Sequence, residues 1–501
     1  MTSSGNMLNV GFGTASLYGT WQTALRLADN VDVRALAVRA GSQAALVLVS
    51  DTLDNQAPAS LNLRSAVAQA VGLTADAIGI FSTQNHDVPV FGALPEWNVP
   101  AAEAIFIRAA RAAMASLQPA EMAVIATRPP QPLALCRRYV LPDIGAFTFW
   151  FGHRIDAATG RADVASLLQE ALESLALGNP ESVRCRCLAE EGADENTRAG
   201  ERLNTASVPQ GWIPSVPNPA FLPPAQDELI QALFFRDLAG RPLGSVLRFA
   251  AHLVTANQAG ADWHSGDYPA YARRAMESGF GGTCVFLPGP CGDQCPPVDR
   301  KSLALAERIG LRVAEPALKA MGAACWHRDG PVVVSSPPVN LRVRHDYPAS
   351  LAEAQAARAT IAVSIREAVT ARKPLAMIKK LAEQHEFLGY VGSGHQMWTG
   401  LTLEGMAGRI IEHPLFILRI GEVVLAGLPG EPFGGYSRRL RAETLGDHLM
   451  VVEEANGYLC YFPTDADSLQ GGYGQANSLF ETGTEETLVA AARAGIAGVE
   501  I

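Results

Sequence analysis

Segments that favour a β-strand and segments that favour an α-helix alternate along most of this sequence. Aliphatic runs such as 44–49 and 423–428 have the length and composition of buried strands. An alanine-rich stretch opens at Pro100 and predicts a helix to about Leu117. Alternation of this kind is typical of α/β proteins, in which helices cover a shared sheet. We therefore predict an α/β fold.

The remaining regular segments follow the same criteria of length and periodicity. Further strands are predicted at 77–81, 122–127, 245–251, 283–287, 415–420 and 450–453, with a tight hairpin at Gly421-Glu422. An amphipathic helix is predicted over 164–175, and two helices that break near Lys373-Pro374 are predicted over 351–385.

Composition and charge exclude several classes of protein. The chain has 40 Lys and Arg against 50 Asp and Glu, a net charge of −10, which disfavours nucleic acid and anionic membranes as partners. No apolar run approaches the ~18 residues of a transmembrane helix, and the first residues have no features of a signal peptide. Eight cysteines in 501 residues do not form a disulfide framework. We expect a cytoplasmic protein without a transmembrane segment.

The stretch 151–217 differs from the rest of the chain. After its helix come a charge-dense segment at 190–204 and a series of prolines from Pro209 onward, which suit neither a central strand nor a long helix. At ~150 residues per domain the length would allow about three domains, but large α/β enzymes are often one domain with insertions. We predict a single domain over 1–501 in which 151–217 is an insertion or lid.

Polar residues collect directly after five of the predicted strands. These positions are His86 with Asp87, His252, the loop 288–296, Glu431, and the segment 455–461. In open α/β sheets, ligands bind outside the carboxyl ends of the strands, so these loops are candidates for one site. Two His, a Glu and a Tyr would suit a divalent metal such as zinc.

At these loops the chain resembles the catalytic domain of the neutral ceramidases. The resemblance runs from Val10–Thr14 to about Val489, over more than 400 residues. It is carried, in chain order, by Arg248–His252, Gly281–Asp293, Pro429-Gly-Glu431 and Ala455–Tyr461. It implies a large mixed sheet flanked by helices, with the active site at the carboxyl ends of the strands. The C-terminal immunoglobulin-like domain of true ceramidases is not expected here, which weakens ceramide as the substrate.

The resemblance also implies a zinc site. His252, Glu431 and Tyr461 are similar to three of the four family ligands. At the fourth position the family has the first His of Thr-His-Thr-His, whereas this chain has Gln84, and His86 matches the second His. Three alternatives follow: His86 has taken over coordination, the site holds metal weakly, or it holds none.

Three more positions are carried over as active-site residues. Arg137 resembles the arginine that would stabilise a negative oxygen, and Asp293 lies in the family's Gly-Asp loop. Cys295 stands where the family has a serine. A thiolate is a stronger nucleophile than a hydroxyl, but most free cysteines are small buried residues.

These residues imply a zinc-dependent amidohydrolase that cuts an N-acyl bond in a lipid-like or small-metabolite substrate. Its catalytic residues would be Arg137, Asp293, His86 and Cys295, and its zinc would activate water. Two alternatives remain open: acyl chemistry at Cys295 without metal, with His86 or His252 as base, and a degenerate member that binds a ligand without turnover. The sequence leaves the oligomeric state open, a homo-oligomer included.

Overall fold

The structure is a computed structural model of the chain. It describes residues 7–21, 23, 25–93, 97–149, 154–155, 162–180, 184–185, 211–217, 220–257, 261–298 and 301–500. Most of 151–217 lies outside this part of the chain, so an insertion or lid there stays a prediction.

The strands of four or more residues are numbered in chain order. They are β1 Asn9–Ser16, β2 Asp32–Ala40, β3 Gln43–Ser50, β4 Ile78–Ser82, β5 Gln118–Thr127, β6 Arg138–Leu141, β7 Gly145–Phe149, β8 Ile230–Asp237, β9 Pro242–Phe249, β10 Thr283–Pro288, β11 Val332–Ser335, β12 Pro338–Arg342, β13 Ile410–Pro414, β14 Phe416–Ile420, β15 Val423–Gly427 and β16 Leu449–Val452. Shorter pairs join Leu135–Cys136 to Gln294–Cys295 and Glu431–Pro432 to Tyr461–Phe462.

The helices are numbered in the same way. They are α1 Ala57–Val71, α2 Val99–Ala115, α3 Ala165–Ala176, α4 Asp267–Gly279, α5 Leu303–Met321, α6 Leu351–Thr370, α7 Leu375–Ser393, α8 His395–Thr399, α9 Gly434–Glu443, α10 Asp465–Gln470, α11 Tyr473–Ala476 and α12 Thr484–Val499. None of the described helices combines the length and the apolar character needed to cross a bilayer.

Eight strands form the main sheet, in the order β10-β9-β8-β5-β1-β2-β3-β4. The outer pairs β9–β10 and β3–β4 are parallel, and the inner pairs are antiparallel. A second sheet has the order β11-β14-β15-β16, with β15–β16 parallel. The prediction of a large mixed sheet flanked by helices is confirmed.

The two sheets pack face to face, with helices on both outer sides. Successive residues of a strand point to opposite faces, so Val47 of β3 packs against the second sheet while Leu48 packs against α1 and α2. On the far side, α12 covers Ile417 and Val424 of the second sheet. Because both faces of β3 are buried, its sequence is a continuous apolar run.

The strands and helices predicted from periodicity are present, with boundaries shifted by one to a few residues. The predicted helix 100–117 is α2, the helix 164–175 is α3, and the break near Lys373-Pro374 separates α6 from α7. The strands β1, β2 and β8 were not predicted, although they occupy the centre of the main sheet.

Helix α2 lies unusually close to β1. A Cβ atom built on Gly13 would stand 2.1 Å from the Ala109 carbonyl oxygen, and one built on Gly11 would stand 2.1 Å from that of Ala113. Both contacts are to helix backbone, which does not move aside as a flexible side chain can. The two glycines therefore set the distance between α2 and the centre of the sheet.

This packing gives a prediction about stability. We expect Gly13→Ala to lower the free energy of unfolding by about 1–3 kcal/mol, because the added methyl group overpacks the interface. The control is Gly498→Ala, at an exposed position of α12 with nothing within 4 Å of the new atom, which should raise stability by up to about 1 kcal/mol. Urea unfolding of both variants measures the difference, and equal midpoints would contradict this account.

Candidate active site

The residues predicted to form the site come from both sheets. His252 follows β9 of the main sheet, Glu431 follows β15 of the second sheet, and both are buried. Nε2 of His252 lies 3.1 Å from Oε2 of Glu431. The two side chains therefore meet between loops that belong to different sheets.

Backbone pairing brings Tyr461 to Glu431. The short segments Glu431–Pro432 and Tyr461–Phe462 pair in parallel, with Glu431 opposite Tyr461. The chain reaches this pairing through Gly430, which has φ 54° and where a Cβ atom would stand 2.3 Å from the Cys460 carbonyl oxygen. A residue other than glycine would prevent this approach, which gives the Pro-Gly-Glu motif a physical reason.

Arg137 lies beside Tyr461. Its Nη2 donates to the Gly292 carbonyl at 2.9 Å and to the Tyr461 hydroxyl at 3.1 Å. Burial lowers the pKa of this guanidinium, but Tyr461 and Glu431 raise it by more, so Arg137 keeps its charge. The structure thus brings together His252, Glu431, Tyr461 and Arg137, whose roles in binding and catalysis stay predictions.

The partners of His252 determine its tautomer. Nδ1 lies 3.0 Å from the Gln294 carbonyl oxygen, which can only accept, so Nδ1 carries the proton. Nε2 then presents its lone pair to the Glu431 carboxylate. The opposite tautomer would set a lone pair against the Gln294 carbonyl instead. Two acceptors that face each other in a buried site call for a cation or a proton between them.

Three more buried carboxyl groups lie near this contact, those of Asp54, Glu453 and Glu454. Together with Glu431 we call them the acid cluster. Burial raises the pKa of Asp54, Glu453 and Glu454 well above the usual range. Burial acts in the same direction on Glu431, but contacts with His252, Arg137 and Tyr461 lower its pKa by more. Burial also lowers the pKa of His252. These directions favour a neutral imidazole at His252 and an ionised carboxylate at Glu431.

Gln84 and His86 lie on the other side of His252. Gln84 is buried, and its Oε1 is 3.6 Å from Sγ of Cys291. The ring centre of His86 is 5.6 Å from that of His252, and its Nδ1 bonds the Gln84 carbonyl at 3.0 Å. Burial, reinforced by His252, lowers the pKa of His86 to about 3, so it is neutral. Whether either residue binds a metal stays open.

Asp293 and Cys295 belong to the same loop. The Asp293 carboxylate accepts from the Gly434 N–H at 2.7 Å, at the start of α9, and from the Gln226 amide at 3.2 Å. Cys295 is buried, and burial raises the pKa of its thiol to about 12. These contacts give Asp293 an anchoring function in the fold; the catalytic roles of both residues stay predictions.

Cys291, Glu453 and Tyr458 were not among the predicted site residues, although Cys291 and Tyr458 lie in the candidate segments 288–296 and 455–461. Cys291 Sγ lies 3.3 Å from Nδ1 of His252 and donates to Oε1 of Glu453 at 2.8 Å. Tyr458 donates its hydroxyl to Oε1 of Glu431 at 2.9 Å. The pair Glu453-Glu454 was a usable signal, because two acids directly after the apolar strand β16 are unusual for a plain connection.

Backbone strain concentrates in these loops. Among the described residues seven non-glycine residues have positive φ, and four of them lie around the site: Gln84, Glu454, Asn456 and Cys460. Each such conformation costs on the order of 1–3 kcal/mol and persists only when the surrounding structure imposes it. At Glu454 the positive φ goes with different partners for two adjacent acids. Glu453 accepts a hydrogen bond from Cys291, whereas Glu454 accepts one from Ser82.

Solved structures with the same architecture identify the fold. A neutral ceramidase from Pseudomonas aeruginosa superposes with a TM-score of 0.60 at 15% identity, over 99% of this chain and 75% of that one. The chain has the neutral ceramidase fold. A ceramidase complexed with C2 gives the same TM-score at 14% identity, over 98% of this chain and 74% of that one. No family model and no curated protein sequence matches the chain.

The zinc site that the sequence resemblance implies can be tested against the residues that the structure brings together. Among the described residues no three His, Cys, Asp or Glu side chains form a metal-binding group. The donors that do converge are the His252 nitrogen, the Glu431 carboxylate and the Tyr461 hydroxyl, which also hydrogen-bonds Glu431. A lone pair facing a carboxylate, with the opposite ring nitrogen bonded to a carbonyl, is the chemistry of a metal-ligating histidine. The donor set fits a cation with three protein ligands.

The burial of the thiols gives a second prediction. We expect iodoacetamide at pH 8 to label the exposed Cys325 of the folded protein and to leave Cys291 and Cys295 unlabelled. With a pKa of about 12, about one Cys295 thiol in 10⁴ is ionised at that pH. Peptide mapping by mass spectrometry measures the extent at each site, with urea-unfolded protein as the control. Labelling of Cys295 as fast as Cys325 would show a reactive thiol.

Proposed function

We propose that this protein is a zinc-dependent hydrolase that cuts an amide bond in a lipid-like or small N-acyl substrate. The observation that carries the proposal is the His252 lone pair facing the Glu431 carboxylate, with Tyr461 and Arg137 beside it. The neutral ceramidase fold supports the amide class, since the similar solved structures are ceramidases.

The residues that would hold the zinc are His252, Glu431 and Tyr461. Three protein ligands with an open position are typical of catalytic rather than structural zinc. A zinc ion there would polarise the scissile carbonyl and acidify a water molecule. The substitution of Gln84 for a family histidine leaves one strong ligand fewer, so we propose a lower zinc affinity than a site with four strong ligands would have.

Arg137 and His86 act on the substrate in this proposal. The Arg137 guanidinium keeps its charge and stands beside Tyr461, where it would stabilise the negative oxygen that develops on the carbonyl. His86 is neutral and bonds the Gln84 carbonyl through Nδ1, so Nε2 carries its lone pair and would accept a hydrogen bond that orients the substrate or the attacking water. Burial around His252 keeps bulk water away and strengthens these interactions.

Two alternatives to a zinc hydrolase were left open: acyl chemistry at Cys295 without metal, and ligand binding without catalysis. Acyl chemistry at Cys295 needs a thiolate, which its burial disfavours. The alternative of a ligand-binding protein without catalysis is supported only by Gln84, which stands where the family has a metal-binding histidine. A cytoplasmic location is likewise part of the proposal.

The central prediction concerns His252. We expect His252→Ala to lose bound zinc and to reduce hydrolysis of fluorogenic N-acyl amides by at least about 1000-fold, about 4 kcal/mol of activation free energy. Metal content by mass spectrometry and initial rates with short and long acyl chains provide the measurements.

His327→Ala is the matched control for this substitution. His327 has an exposed side chain outside the site, and its backbone pairs with Met122. The control should keep the zinc content and the rate of the wild type. Equal zinc in the wild type and in His252→Ala would count against the assignment, and a wild type that turns over none of these amides would refute hydrolysis of this class.

A further prediction separates the metal mechanism from covalent chemistry. We expect Cys295→Ser to keep at least about a tenth of the wild-type rate, because the thiol is not the attacking group. Cys284→Ser, a buried thiol of β10, controls for the stability cost of a buried hydroxyl. A loss beyond about 1000-fold in folded, zinc-loaded Cys295→Ser, about 4 kcal/mol of barrier, would instead identify Cys295 as the nucleophile.

A further inference from the structure

Glu453 ties one loop of the main sheet to the end of the second sheet. It follows β16, is fully buried, and its N–H donates to the Pro288 carbonyl at 3.0 Å. Its Oε2 accepts from the Cys291 N–H at 2.8 Å, and its Oε1 accepts from the Cys291 thiol at 2.8 Å. Glu453 thus holds the loop from Pro288 to Cys291 through three hydrogen bonds.

The next residues of that loop orient the site. The Gln294 carbonyl bonds Nδ1 of His252 at 3.0 Å and also accepts the backbone N–H of His252 at 3.2 Å. The carbonyl groups of Gly292 and Asp293 accept from the side chain and the backbone N–H of Arg137. The orientation of both His252 and Arg137 therefore depends on carbonyl groups in 292–294. Glu453 anchors the residues that come directly before this segment.

Cys291 provides a second and more direct connection. Its thiol hydrogen points to Glu453, so the sulfur presents lone pairs to Nδ1 of His252 at 3.3 Å. Both neighbours of Nδ1, the Gln294 carbonyl and the Cys291 sulfur, then act as acceptors. Together they favour the tautomer that has hydrogen on Nδ1 and a lone pair on Nε2.

We propose that Glu453 is a positioning residue that fixes His252 in the Nδ1–H tautomer through Cys291 and the loop 288–294. The tautomer is a statement about the protein alone. Its consequence, a higher affinity of His252, Glu431 and Tyr461 for zinc, rests on the proposed function. Loss of a residue that orients a metal-ligating histidine typically weakens metal binding 10- to 100-fold.

The test compares Glu453→Gln with Glu454→Gln. Both replace a fully buried carboxyl by an amide of the same size, but Glu454 accepts from Ser82 rather than from the loop. An amide NH₂ at position 453 cannot accept, so one of the two hydrogen bonds from Cys291 is lost. The matched pair separates the specific contact from the general effect of removing a buried acid.

The first measurement uses metal-free protein with ¹⁵N-labelled histidine rings, in which His252→Ala assigns the His252 signals. We expect the wild type and Glu454→Gln to show one tautomer, with hydrogen on Nδ1, and Glu453→Gln to show a mixture. A wild type with hydrogen on Nε2, or a Glu453→Gln protein that keeps the single Nδ1–H tautomer, would overturn the proposal.

The second measurement is the zinc dissociation constant by competition with a chelator. Glu453→Gln should bind zinc 10- to 100-fold more weakly than the wild type, and Glu454→Gln should stay within about threefold. Unchanged affinity in Glu453→Gln overturns the link between Glu453 and the metal. A wild type that binds no zinc overturns the metal part of the proposed function, while the tautomer is still decided by the ring signals.

Cys291→Ala is the second variant, for the case in which Glu453→Gln does not fold. It removes the thiol and leaves the carboxyl in place, and we expect the His252 tautomers to mix and zinc binding to weaken about tenfold. Cys291→Ser restores a donor to Glu453 and should recover the single tautomer. Wild-type behaviour of Cys291→Ala in both measurements would show that Glu453 does not act through Cys291.

Discussion

The contact between His252 and Glu431 is the interaction on which the site depends, because it joins the loops of two stacked sheets. A buried carboxylate is costly unless charge and hydrogen bonds compensate it. Here Tyr458 and Tyr461 bond the carboxylate and Arg137 supplies positive charge. Burial raises the pKa of the surrounding acids Asp54, Glu453 and Glu454. The contacts with Tyr458, Tyr461, His252 and Arg137 thus compensate the buried carboxylate of Glu431.

The resemblance to the neutral ceramidases pointed to His252, Glu431 and Tyr461 as one group. The α/β class and most strands of the second sheet could be predicted from the sequence itself. They follow local rules: apolar runs of strand length, and polar residues at the ends of those runs. The central strands β1 and β2 escaped because Gly11, Gly13 and two arginines of β2 interrupt the apolar pattern. In the structure Arg34 of β2 is nevertheless buried, where it bonds Glu277 and the Cys284 carbonyl.

The contacts of Cys291 and Glu453 could not be predicted, because they depend on how two distant loops pack. Cys295 drew attention through the family motif, yet the thiol at hydrogen-bonding distance from His252 is that of Cys291, four residues earlier. A sequence gives the order of residues in a loop but not which side of the loop faces a histidine from another strand. That information arises only when Glu453 and Pro288 fix the loop path.

The face-to-face arrangement of the sheets has a consequence for how the chain folds. The acid cluster and its partners come from positions as far apart as Asp54 and Tyr461, so their contacts close very long loops at a cost in chain entropy. While the two sheets are apart, water can reach His252 and Glu431. Docking of the sheets removes that water. The polar group is therefore complete only when the two sheets are docked, so its integrity depends on both sheets.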